Sequence, residues 1–78
     1  MMELAEIIAR LDMEIVATTR ARKQAEEADK RMLAKMIGQR LDNLRTKRLE
    51  LTDQLIAAGG DTDRIAVYRR FLDSSYGR

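Results

Sequence analysis

Leu4, Ile8, Leu11 and Ile15 recur at spacings of three and four residues, and so do Leu33, Ile37, Leu41 and Leu44. That period places each set on one side of an α-helix. Run antiparallel, the two stripes pair as Leu4 with Leu44, Ile8 with Leu41, Leu11 with Ile37, and Ile15 with Leu33. The position numbers of these pairs sum to 48 or 49, so one fold point near Gln24 satisfies all four. Between the stripes, Ala17 to Arg31 holds no bulky apolar residue and no glycine, proline or asparagine. This segment either turns the chain or runs on as a solvated helix.

Two arrangements give the same residue pairs. One is a hairpin that turns near Gln24. The other is its domain-swapped equivalent, a dimer of continuous antiparallel helices that cross there, with Ala17, Ala21, Ala25 and Ala28 allowing close approach. In the second stripe Met36, Leu51 and Leu55 join Leu33, Ile37, Leu41 and Leu44 on one face. Leu49 and Ile56 lie well round the helix and require cover from the last helix or from another subunit.

Punctuation sets the remaining boundaries. Ala57-Ala58-Gly59-Gly60 offers glycine for a left-handed helix end. Asp61 or Thr62 then caps the next helix, with Asp63 in its first turn. That helix presents Ile65, Tyr68, Phe71 and Leu72 on one side, fastening it to Leu49, Leu51, Leu55 and Ile56. The expectation is one all-α domain over residues 1–78. Its parts are a helix at about 3–20, a polar turn or continuous helix at 21–28, a helix at about 28–58, a short third helix at about 62–73, and a tail at 74–78. Its fold class is an antiparallel helical hairpin, or an antiparallel long-helix dimer, followed by that short third helix.

Composition sharpens this picture by what it lacks. The 78 residues include no proline, cysteine, histidine or tryptophan. A chain so short buries little core, and the usual remedies are disulfides, a metal or association. Without cysteine or histidine, association remains, so a dimer or higher oligomer is expected and no cofactor or zinc-type metal. No stretch reaches the roughly 18 apolar residues that a spanning helix needs. Nor does the N-terminus, with Glu3 and Glu6, read as a signal peptide. A soluble, cytoplasmic protein is the expectation.

Charge alternates along the chain. Residues 1–16 carry Glu3, Glu6, Asp12 and Glu14 against Arg10, a net of −3, whereas residues 17–48 carry ten bases against four acids, a net of +6. Glu50, Asp53, Asp61 and Asp63 make residues 49–63 a block of −4, and Arg64, Arg69, Arg70 and Arg78 against Asp73 make the last block +3. The expectation is that the first block answers the second and the third answers the fourth. Exposed pairs contribute less than about 1 kcal/mol each, so charge selects an arrangement more than it stabilises one.

No catalytic constellation stands out. The carboxylates have helical neighbours of opposite sign, such as Glu26 with Lys30 and Glu27 with Arg31, and read as solvated faces rather than as acid–base pairs. Gly59 to Asp63 lacks the lysine of a phosphate loop, and its acids would repel an anion. The first helix is amphipathic with an acidic polar face, which argues against an anionic membrane surface.

Tyr68, Arg69, Arg70, Phe71 and Tyr76 combine rigid rings with forked donors, a mixture enriched where proteins meet. They are the expected partner-binding residues, with Arg69 and Arg70 exposed. The functional expectation is a non-catalytic protein-binding or assembly module: an adaptor, a small subunit of a complex, or an inhibitor covering a partner's surface. Its partners would be itself and another protein. The alternative is a small nucleic-acid-binding regulator, with Arg20, Arg22, Lys23, Arg31, Lys35 and Arg45 as phosphate contacts. No aromatic residues interleave with these bases to stack on nucleobases.

Overall fold

A computed structural model describes residues 2–76, the last two by backbone alone. It contains three helices, α1 (Leu4–Glu27), α2 (Arg31–Ala57) and α3 (Asp63–Tyr76). α1 and α2 form an antiparallel hairpin within one chain, and α3 packs against α1. The all-α hairpin with a short third helix is therefore the fold, and the chain turns rather than running on as a continuous helix.

The turn does not fall near Gln24. α1 continues to Glu27, as its uninterrupted helix-forming residues allow, and ends in a Schellman motif. Asp29 adopts a left-handed backbone with φ 58°. Its N–H donates to the Glu26 carbonyl at 3.1 Å, and the Lys30 N–H donates to the Ala25 carbonyl at 2.8 Å. The end of α2 repeats this device with the glycine that position favours. Gly59 has φ 75°, its N–H donates to Ile56 at 3.0 Å, and the Gly60 N–H donates to Leu55 at 2.9 Å. Gly60 also lies so close to Leu55 that a side chain at 60 would strike it. Asp61 caps α3, accepting the Asp63 N–H on Oδ1 at 2.9 Å.

Moving the turn moves the register. Asp12 meets Arg48, and a methyl on Gly38 would lie 3.5 Å from the Arg22 guanidinium carbon. Both pairs of position numbers sum to 60 rather than 48 or 49. Glu14 reaches Arg40 at 3.9 Å across the same hairpin. Ile8 accordingly packs in a cluster with Leu51 and Leu55 rather than against Leu41. Leu41 is just as buried, at 1% exposure, but lies about level with Thr18 and Thr19. Leu33, which the earlier register set against Ile15, is left 44% exposed. The slide is close to three helical turns, about 11 residues, and it keeps the same side of each helix turned inward.

The core lies at the open end of the hairpin. Ala5, Ile8 and Ala9 from α1 meet Leu51 and Leu55 from α2 and Ile65 and Leu72 from α3, with Leu4, Ile7, Leu11, Met13 and Tyr68 packed around them. Ala5 and Ala9 are wholly buried, small enough to let a neighbouring helix come close. α3 runs alongside the first half of α1: Arg64 lies at Glu3, Arg69 at Asp12, and Leu72 beside Met13. The backbones of α2 and α3 stay apart from each other.

Asp29 strains the turn, because a left-handed backbone disfavours any residue with a Cβ. Asp29→Gly should raise the urea midpoint, by up to about 1 kcal/mol of stability, with an unchanged denaturant slope. Its ion pair with Arg31 is wholly surface-exposed, so little is lost with the carboxylate.

Candidate interaction groove

Because the backbones of α2 and α3 each approach α1 but not each other, an open groove of about 500 Å³ lies between them above the shared core. Asp12 of α1 forms its floor. Arg48 and Thr52 of α2 stand on one side, and Ile65, Ala66, Arg69 and Arg70 of α3 on the other.

Asp12 is the single buried charged side chain among the described residues. Arg48 embraces it with both arms of its fork, Nε donating to Oδ1 and Nη2 to Oδ2 at 3.3 Å. Arg69 approaches Oδ2 through Nη1 at 3.4 Å. One carboxylate thereby ties all three helices together. Each member occupies a core position of its own helix: Asp12 between Ile8 and Ile15, Arg48 between Leu44 and Leu51, Arg69 between Ile65 and Leu72. A charge standing in an apolar stripe at spacings of three and four was the sequence signal for this triad. The triad escapes a reading that sorts residues into apolar cores and charged faces.

A second clamp holds the start of α1. Glu3 stands at the N-cap position but does not cap with its side chain. Instead it accepts Arg64 Nη2 at 2.8 Å and the Tyr68 hydroxyl, and Arg64 lies over the Tyr68 ring at 5.8 Å. The hydrogen bond from Arg64, followed by that from Tyr68, holds the Glu3 carboxyl below the usual glutamate range. The same contacts push the Arg64 guanidinium further up. The arginines of the last block therefore answer the acids of the first block. Glu50, Asp53, Asp61 and Asp63 form no ion pair among the described residues, contrary to the expected pairing of the third and fourth blocks.

The expected partner-binding residues disperse. Tyr68 is half-buried against the core and Glu3. Arg69 is anchored on Asp12 rather than exposed, its Nε buried without an acceptor. Arg70 is exposed on the groove wall. Phe71 is 69% exposed and lies outside the core cluster. The Tyr76 side chain falls outside the described residues. α3 does not cover Leu49 or Ile56, which remain 62% and 58% exposed.

Of the expected phosphate contacts, Arg22, Arg31 and Lys35 line a hollow beside the turn together with Glu26 and Asp29. Arg22 pairs with Glu26 at 3.3 Å and Arg31 with Asp29 at 3.4 Å. Arg20, Lys23 and Arg45 are exposed outside this hollow. Among the described residues no cluster of three or more carboxylates could hold a metal ion. No described helix is long and apolar enough to cross a membrane. In comparisons with known proteins the chain matches no family model, no curated protein and no solved structure.

Removing Asp12 leaves two guanidiniums facing each other without a counter-charge. Asp12→Ala should cost about 3 kcal/mol, the low end for unpartnering a buried charge, since both arginines stay partly wet. Glu14→Ala, which breaks the exposed pair with Arg40, should cost less than about 1 kcal/mol. Equal losses for the two variants in urea denaturation would remove the triad from the structural centre.

The Glu3 clamp has a defined acid dependence. Its carboxyl is lowered in the fold, so its contribution is complete above the ordinary glutamate value of about 4.3 and is lost as pH falls through the folded value. Glu3→Gln should flatten that part of the stability–pH curve and leave the neutral-to-alkaline part parallel to the parent protein's. An unaltered acid limb would mean that the clamp does not form in solution.

Proposed function

We propose that this chain is a non-catalytic protein-binding or assembly module, working in the cytoplasm, whose docking surface is the α2–α3 groove together with Leu49 and Ile56. The observation that carries this reading is a pair of large aliphatic side chains left exposed beside an open groove whose floor is fixed by three helices. Rigid surfaces with apolar anchors and a polar surround suit protein partners. The core does not depend on Leu49 or Ile56, so these side chains are available for recognition.

Of the residues expected to bind a partner, Arg70 stands on the wall of this groove. Recognition moves from the Tyr68–Phe71 segment as a whole to the α3 wall bearing Arg70 and the facing edge of α2. The phosphate-binding alternative is weakened, because Arg22 and Arg31 are already paired within the turn hollow.

A photo-crosslinking residue placed at Ile56 should yield a protein adduct in the cells that make this chain. The same residue at Lys47, on the far side of α2, should not. Adducts from position 47 and none from 56 would put the docking surface elsewhere. Duplex DNA or RNA binding that falls steeply with salt and disappears on reversing Arg22, Arg31 and Lys35 would replace this reading with the nucleic-acid one.

A further inference from the structure

The groove residues and the flanks of α2 carry a charge pattern that is complementary to itself. Asp12 supplies one negative charge to the groove, whereas Arg48, Arg69 and Arg70 supply three positive ones, leaving a net surplus of two. Arg45 adds another base to the groove-side edge of α2. Successive residues of a helix advance by about 100°, so going round α2 away from the groove the order is Arg48, Thr52, Arg45, Ile56, Leu49, then Asp42 and Asp53. The helix thus presents a basic flank, an apolar stripe and an acidic flank side by side. Arg45, Asp42, Asp53 and Arg70 are all exposed, and none forms an ion pair among the described residues.

We propose that the occupant of this surface is a second copy of the chain, apposed along the Leu49–Ile56 stripe with the two α2 helices parallel about a twofold axis. This rests on the groove being a protein-docking surface, and it names the partner. The geometry follows from symmetry. When two parallel helices are related by a twofold axis along their length, the left flank of each faces the right flank of the other. The acidic flank of one copy then meets the basic groove of its partner, twice over, as an isologous interface requires. An antiparallel twofold would set acidic flank against acidic flank. Leu49 and Ile56 supply the apolar centre that charge alone cannot, and the surplus positive charge of the groove meets acids that form no ion pair among the described residues.

The test is reciprocal charge reversal read by light scattering and analytical ultracentrifugation. The unmodified chain should sediment at twice its 9.0 kDa at micromolar concentration. Asp53→Arg and Arg70→Asp should each weaken self-association about tenfold or more, since each places two like-charge contacts in the interface. Mixing the two variants should restore a dimer, because every facing pair is then of opposite sign. Leu49→Glu should also dissociate the dimer, and Met36→Glu, at a position that is exposed near the turn and well round α2 from Leu49, should not. Circular dichroism should remain helical throughout, as all four positions are exposed.

A monomer at the highest attainable concentration overturns the second-copy proposal. A crosslink from position 56 to a different protein would then leave the binding module standing. A dimer indifferent to Asp53→Arg, Arg70→Asp and Leu49→Glu, or one broken by Met36→Glu alone, overturns it too. A mixture of the two charge variants that stays monomeric excludes the parallel twofold.

Discussion

A single buried carboxylate organises this small protein. Asp12 sits where α1 touches both of its neighbours, and its two oxygens are taken by Arg48 from α2 and Arg69 from α3. Taking a charge out of water is costly, and the cost falls only when the counter-charges are held in place. The triad therefore stabilises one relative placement of three helices and penalises others. Such a constraint matters in a chain of 78 residues, where leucine and isoleucine stripes alone admit several ways to slide. The apolar cluster at the open end supplies the bulk of the burial, and the ion triad beside it specifies the alignment.

The same economy shapes both ends of α2. Two Schellman motifs, one built on Asp29 and one on Gly59, stop a helix and reverse the chain within a few residues. They fix the hairpin length and deliver α3 to the start of α1, where Glu3 gives up its capping role to hold Arg64 and Tyr68. Tight turns and a short α3 leave α2 covered on one side only. Exposure of Leu49 and Ile56 is a consequence of this layout, and it leaves an apolar stripe on α2 beyond the groove shared with α3.

The charge blocks show how a correct pattern can be assigned to the wrong partners. The acidic first block does face the basic second block, through Asp12 with Arg48 and Glu14 with Arg40. Yet Arg64 and Arg69 also turn to the first block, because α3 lies along α1 rather than across the end of α2. Glu50 and Asp53 are thereby left exposed, Asp53 on the outer edge of the Leu49–Ile56 stripe. By type alone Arg69 reads as an exposed side chain, whereas the structure anchors it on Asp12. Its spacing from Ile65 and Leu72 carried the structural role, and such a role surfaces only when the residue has a buried acid to meet.

What the sequence determined by itself is local. Helix-forming residues without proline set the all-α class, Gly59-Gly60 and Asp61 set the boundary between α2 and α3, and the three–four spacing set which side of each helix turns inward. The register was not local. A helix pattern with a recurring apolar face is nearly unchanged by a slide of three turns, so sums near 48 and near 60 both bury the same sides. A left-handed aspartate at 29 and a buried ion triad at Asp12 chose between them. Both depend on contacts that exist only once the helices have met, so the tertiary structure alone decided which leucines became core and which stayed exposed.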